Sequence, residues 1–175
     1  RVSAFLFDGD SDEDPVRLAQ NDGLSFGGAK IYGQGFVLTP EERDALVARS
    51  QWNGERIFPY IGGEELNSDP QQMFDRYVIN FGTMALQEAA TWPDLLKIVE
   101  ERVKPERDKH TTNEIALRQK EYWWRYRSDT PRLKEAVVPL NRCLANSQVS
   151  AHFCFAWQPK DRLFAHTLNV FTRDE

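Results

Sequence analysis

The residues from which self-contained chemistry is built are scarce here. The chain of 175 residues has two cysteines, three histidines and two methionines. Cys143 and Cys154 are too few for a disulfide framework; they suit a reduced, cytoplasmic protein in which both pack as small hydrophobes. His110, His152 and His166 are scattered, and neither cysteine has a partner at zinc-ligand spacing, so no metal site is expected. No Gly-x-Ser-x-Gly elbow is present. Glu64 and Glu65 are adjacent, and adjacent residues in an extended segment point apart; a hydrolase would require them to gather with a histidine. No apolar run approaches the ~20 residues of a membrane helix, and the first residues lack the pattern of a signal peptide. These absences favour a binding module over a stand-alone enzyme.

A glycine-rich stretch, Lys30-Ile31-Tyr32-Gly33-Gln34-Gly35-Phe36, invites a nucleotide-binding reading that its context excludes. A phosphate-binding loop leaves a strand and opens a helix, so that the helix N-terminus faces the phosphates. Here Gly35 runs into Phe36-Val37-Leu38, which is more strand. A bulge or a close backbone approach is the expected role of these glycines.

The length suits one buried core, supplied with five Trp and eleven Phe. The formal net charge of -5 argues, taken whole, against nucleic acid. It is unevenly spread: Asp8, Asp10, Asp12, Glu13 and Asp14 crowd one segment, whereas Lys97 to Arg142 holds twelve Lys or Arg against eight Asp or Glu. A basic middle on an acidic protein fits a DNA-facing side and equally fits helices with solvated charged faces. The chain opens on Arg1 and not on Met, as a piece of something longer would.

The order of elements predicts an α+β fold: a mixed, mainly antiparallel sheet, several packed helices and a C-terminal β-hairpin. Residues 1–23 read as a short strand and an acidic loop, and residues 24–175 as the main domain. Strands are expected over Lys30 to Leu38, over Ile57 to Ile61 (at an edge, because of Pro59), and over Arg76 to Phe81. Thr39-Pro40-Glu41-Glu42 opens a helix with a capping box, ending near Ser50. Glu64 to Gln72 reads as a polar loop. A helix follows from Met84 to Ala90. Another starts at Pro93, with an apolar stripe of Leu95, Leu96, Ile98, Val99 and Val103, and Pro105 is expected to end it. Asn113 to Tyr126 and Thr130 to Val138 complete the helices.

The last part of the chain alternates. Phe153, Phe155 and Trp157 fall on one face of an extended strand, which predicts a core face, with His152, Cys154 and Ala156 on the other. Asn146, Ser147, Gln148 and Ser150 read as a polar turn at its mouth, either a plain hairpin turn or a ligand contact. Leu163 to Phe171 is expected as the second arm. Upstream, Trp123-Trp124-Arg125-Tyr126-Arg127 interleaves aromatic and basic side chains at a helix end. Such a patch either lies along a phosphate backbone or anchors a core. The two tryptophans lean to the core and Arg125 to contact.

Arg56-Ile57-Phe58-Pro59-Tyr60-Ile61-Gly62-Gly63-Glu64-Glu65-Leu66-Asn67 carries a resemblance. It is similar to the Pro-Tyr-(apolar)-x-Gly-x-(Asp/Glu)-(apolar)-Asn segment in the target-recognition domain of the MmeI-like, Eco57I-like group of class I N6-adenine DNA methyltransferases, enzymes of bacterial restriction-modification and phage defence. The likeness continues in order through Ser25-Phe26-Gly27-Gly28 and Gly33-Gln34-Gly35-Phe36, Arg76-Tyr77-Val78-Ile79-Asn80-Phe81, Trp92-Pro93, Val103-Lys104-Pro105-Glu106-Arg107, Trp123-Trp124-x-Tyr126, Pro131-x-Leu133, and Arg142 with Ser147, Val149-Ser150 and Phe153. It covers roughly residues 24 to 171. The catalytic Asn/Asp-Pro-Pro-Tyr motif and the cofactor motif are absent, and Thr130-Pro131-Arg132 stands where the family has Arg-Pro.

The resemblance implies a fragment that docks on duplex DNA and reads base edges, while a separate catalytic domain of the same chain, using S-adenosylmethionine, flips and methylates an adenine. The fragment itself would hold no cofactor and touch no membrane. Lys104, Arg107, Arg125 and Arg142 would serve as phosphate-side contacts, and Asn146, Ser147, Gln148, Ser150 and His152 as base-side ones. In Pro-Tyr-Ile-Gly-Gly, Gly62 and Gly63 would shape a turn that Glu64 or Asn67 ties down. The alternative is a protein-interaction or structural spacer domain packed on the methyltransferase core without base readout.

Overall fold

Eight strands form two four-stranded sheets in the computed structural model, which describes residues 18–109 and 113–173. The expected N-terminal strand and acidic loop, and His110, lie outside those residues. The first sheet has the order β2 (Val37–Leu38), β4 (Tyr77–Ile79), β3 (Ile57–Ile61), β7 (Leu163–Phe164). The second runs β1 (Ser25–Gly27), β8 (Leu168–Phe171), β5 (Arg142–Ser147), β6 (Ala156–Pro159). All pairs are antiparallel except β3 with β7. With helices packed around them, the class is α+β, as predicted.

Each sheet belongs to its own core. One cluster gathers Phe36, Leu38, Ile57, Val78, Ile79 and Phe81 with the helix residues Leu95 and Val99. The other gathers Ile61, Leu133, Val137, Cys143, Ala145, Leu168 and Val170. β3 joins them, since Tyr60 faces the first core and its neighbour Ile61 the second, as strand alternation requires.

Local signals behave as their chemistry dictates. Helix α1 (Pro40–Arg49) begins at Thr39, whose hydroxyl accepts from the Glu42 N–H at 3.2 Å while the Glu42 carboxylate accepts from the Thr39 N–H at 3.0 Å. Helix α4 (Pro93–Arg102) buries Leu95 and Val99 completely. Pro105 does not stop the chain from coiling. The helix bends at Val103 and resumes as α5 (Lys104–Asp108), where proline stands in the first turn and its missing donor costs nothing. Gly35 lies under that bend: a Cβ there would sit 2.5 Å from the Val103 side chain. Close backbone approach is therefore its role, and the stretch from Tyr32 to Phe36 is loop where strand was expected.

Three further expectations change. Ile57–Ile61 is interior, not an edge, and it tolerates Pro59 because of register. Tyr60 donates its N–H to Arg76 at 2.9 Å, so the Pro59 nitrogen points away from β4, toward a side on which β7 begins pairing only at Tyr60. The polar loop after Gly63 is a helix, α2 (Gly63–Ser68), because the Glu65 carboxylate accepts from the Gly62 N–H at 2.8 Å and closes its first turn. Helix α6 (Glu114–Glu121) ends before the aromatic–basic run, which lies in turns. α3 (Leu86–Ala89) and α7 (Pro131–Val137) occupy the predicted places.

The C-terminal hairpin is present with different arms. They are β5 and β6, paired from Arg142↔Pro159 to Ala145↔Ala156. Asn146 and Ser147 lie inside a strand and not in a turn, and residues 153–155 are not strand. Phe153, Phe155 and Trp157 are 86%, 42% and 39% exposed, so they are no core face. The predicted second arm divides after Phe164, its halves joining different sheets. Of the two cysteines, Cys143 is buried as expected and Cys154 is exposed.

Candidate functional site

The aromatic–basic run is an interior anchor. Trp123, Trp124 and Tyr126 are buried, and Tyr126 donates its hydroxyl to the Ile79 carbonyl at 2.7 Å. The turns that hold these rings leave carbonyls without helical partners, and Arg107 satisfies them. Its guanidinium donates to the carbonyls of Arg125 at 2.6 Å, Trp123 at 3.2 Å, Tyr122 at 3.3 Å and Ile31 at 3.4 Å, and it stacks on Phe36. Burial pushes this guanidinium down to about 10, so it is charged at neutral pH. At 2% exposure, Arg107 is a staple and not a phosphate contact, a correction to its expected role.

Arg125 is half-buried. Its Nε and Nη2 both donate to the Met84 carbonyl, at 2.9 and 2.7 Å, and it stacks on Tyr122 and Trp124. Lys104 pairs with Glu100 at 2.7 Å and lies over Trp123. Arg125 and Lys104 thus both have prior engagements.

The β5 mouth divides into a framed and an open part. Ser147 donates to the Val149 carbonyl at 2.8 Å, and Asn67 of α2 donates to the same carbonyl at 3.0 Å. A Cβ on Gly63 would meet the Ser147 hydroxyl at 2.6 Å, so glycine is needed where α2 meets this strand. The Pro-Tyr-Ile-Gly-Gly segment is thus structural, with Glu65 closing the turn and Asn67 tying it to the mouth. Asn146 is 9% exposed and accepts from Asn169 at 3.1 Å, and Asn169 in turn accepts from Gln148 at 3.1 Å. Asn146 and Ser147 therefore hold their own backbone and neighbours in place. Gln148, Ser150 and His152 are exposed on the loop beyond. Arg142 is exposed as well, its guanidinium 4.0 Å above the Trp157 ring. Phe153, Phe155 and Phe171 form an edge-to-face ladder beside them, at 5.0 and 5.3 Å.

A basic groove escaped the sequence reading. Among the described residues, Lys30, Arg118, Arg125 and Arg127 line a hollow of about 560 Å³ against a single carboxylate, Asp129, which is already paired with Lys134. None of the four takes part in an ion pair among the described residues. Gln119, 8% exposed, lines the same groove with its amide nitrogen unpartnered. Ile115, Arg118, Gln119 and Tyr122 recur at helical spacing, a signal by which half of the groove was findable. Lys30 and Arg127 arrive through the backbone bridge of Lys30 with Ser128, which no local pattern announces.

Among the described residues no three His, Cys, Asp or Glu side chains gather as a metal site, and no helix is long and apolar enough to cross a membrane. Glu65 is held by Arg76, and Glu64 is exposed, so the adjacent carboxylates do part. No protein-family model and no curated protein matches the chain. Its fold does have solved counterparts. Over 99% of its length, at 13% identity and a TM-score of 0.67, the chain is similar in structure to 22% of the Type IIL restriction-modification enzyme MmeI, solved in complex with DNA.

Proposed function

We propose that this chain is a duplex-DNA recognition fragment of a bacterial N6-adenine DNA methyltransferase of the restriction-modification kind. The observation that carries the reading is a groove of four cations without carboxylate partners among the described residues, on a protein of net charge -5, within a fold shared with part of an enzyme solved on DNA. In this reading Lys30, Arg118 and Arg127 lie along the phosphates, with Arg125 as a half-buried backstop and Arg142 as a further contact. Gln148, Ser150 and His152 offer exposed donors and acceptors to base edges, on a loop framed by Asn146 and Ser147. Methyl transfer from S-adenosylmethionine belongs to a catalytic domain of the parent enzyme, which acts on an adenine flipped from the duplex.

The test is duplex binding measured against salt concentration. Each phosphate contact contributes roughly 0.9 to the slope of log affinity against log salt, so replacing Lys30, Arg118 and Arg127 together by alanine is expected to flatten it by about 2–3. An unchanged slope would remove the groove from the interface. A second reading has its own observation: Val149 and Phe153 are 81% and 86% exposed, more apolar surface than phosphate docking requires. If Phe153→Ser and Phe155→Ser abolish assembly with the catalytic domain and leave DNA affinity intact, the loop is an intramolecular docking surface and reads no bases.

A further inference from the structure

A second hollow, of about 550 Å³, opens between α7 and the β3–β7 side of the first sheet, and the DNA reading makes no use of it. Its size is that of a small-molecule site, and its walls are largely apolar, from Phe58, Leu133, Val137 and Leu163. Asn80 lines it while only 3% exposed. The Asn80 Oδ1 accepts from the Gly82 N–H at 2.7 Å, which fixes the amide orientation and leaves Nδ2 to donate; Nδ2 is buried and has no acceptor. Arg56 lines the same wall, its Nε also buried and unpartnered, its guanidinium stacked 4.4 Å from the centre of the Trp92 ring. Two unanswered buried donors in one wall call for an acceptor.

The charge says which acceptor. Among the described residues, Arg56, Lys134, Lys160 and Arg162 line the cleft against Asp161 alone, and Lys134 is already matched by Asp129. The remaining excess suits a group of about two negative charges, which a phosphate monoester carries near neutral pH and a carboxylate does not. Lys160 donates to the Val138 carbonyl at 2.8 Å, which sets its ammonium at the rim with two donors left over. An inorganic ion would leave half-buried Phe58 and exposed Val138, which line the same cleft, facing water.

We propose that this cleft binds a phosphate monoester with an apolar or aromatic body, the phosphate held by Asn80, Arg56 and Lys160 and the body by the apolar wall. The site is separate from the groove of Lys30 and Arg118, and it stands or falls apart from the DNA reading. Phenyl phosphate is the probe, titrated into the 175-residue chain by calorimetry and by amide chemical shifts, beside inorganic phosphate. Saturable binding is expected, with shifts at the Asn80 side-chain amide and along α7, and at least tenfold weaker binding of inorganic phosphate. Asn80→Leu and Lys160→Met are each expected to weaken phenyl phosphate by about tenfold. Lys160 is exposed, so its variant keeps the test decisive if loss of the Asn80–Gly82 bond unfolds the chain. Lys30→Ala is expected to leave phenyl phosphate unaffected. No saturation at millimolar ligand, equal affinity for inorganic phosphate, or shifts confined to the Lys30 groove would each overturn the proposal.

Discussion

Two regions of this molecule are built from the same ingredients and end in opposite places. Around Arg107 and residues 122–126, arginine and aromatic rings interleave and turn inward, with Arg107, Trp123, Trp124 and Tyr126 buried. Around Arg142 and residues 153–157 they interleave again and remain at the surface. The stacking geometry does not separate them, since Arg107 lies 5.3 Å from the centre of the Phe36 ring and Arg142 lies 4.0 Å from that of Trp157. What separates them is the supply of carbonyls. Turns beyond α6 leave several backbone acceptors without helical donors, and one planar guanidinium reaches three of them together with the Ile31 carbonyl. In β5 the carbonyls are already paired to β6 and β8, so Arg142 has no interior acceptors to answer and stacks outward.

The largest effect that should follow is at Arg107. Arg107→Ala leaves buried carbonyls without donors and a cavity beside Phe36, for an expected loss of about 3–5 kcal/mol. Against a total stability of ~5–15 kcal/mol, that removes a large share. Urea unfolding monitored by tryptophan fluorescence measures it. Arg107→Lys is expected to recover only part, because an ammonium cannot fork to four carbonyls. A change below about 1 kcal/mol would mean that water can replace the staple, and the contrast with Arg142 would collapse.

A smaller effect distinguishes interior from surface by pH. Burial pushes the Cys143 thiol up to about 11 and the Tyr60 hydroxyl up to about 12, and raises Tyr126 well above its ordinary value. The folded protein keeps protons that the unfolded chain releases, so the unfolded state binds fewer protons and stability falls as pH rises. The contribution is fully present below about pH 9 and is lost between roughly pH 9 and 12, by about 2 kcal/mol for each of the two groups. Denaturation midpoints across that range measure it, and Cys143→Ala should remove the earliest part of the decline. At pH 8 a thiol reagent should label exposed Cys154 in the folded protein and spare Cys143.

How much of this was readable depended on how local the deciding interaction is. The α1 cap lies within four residues, Thr39 to Glu42, and the α4 stripe within three turns; both stand as predicted. Pro59 was placed at an edge because its tolerance depends on where β7 starts, and β7 lies a hundred residues downstream. The alternation of Phe153, Phe155 and Trp157 satisfies a strand pattern, yet an exposed extended loop satisfies it equally. The buried side of β5 is built from Cys143 and Ala145, too small to announce a core. At the candidate site, Gln148, Ser150 and His152 are singled out by residue type, and the fold leaves them exposed. Arg107 was misjudged because nothing in Lys104-Pro105-Glu106-Arg107 records the carbonyls it answers. The groove was half legible, through the Ile115–Tyr122 face, and its other half depends on the pairing of Lys30 with Ser128.

The smallest expected effect is the one that tests whether the exposed aromatic ladder is surface in its own right. Phe153 is 86% exposed, and its ring meets that of Phe155, which in turn meets Phe171. Serine at 153 removes little buried area, so Phe153→Ser should change stability by less than ~0.5 kcal/mol, whereas Trp123→Ala should cost about 3–5 kcal/mol. Arg142→Ala, which forfeits only a solvent-facing stack on Trp157, should cost ~0.5–1 kcal/mol. Thermal unfolding of the three variants in one buffer places them on a single scale. If Phe153→Ser lowers stability by more than about 1 kcal/mol, the ladder is a third packed cluster, and Gln148, Ser150 and His152 hang from a rigid platform. If it does not, those three side chains ride on a loop that the rest of the fold leaves free to adjust, and any base they read is met by a surface that takes its shape on contact.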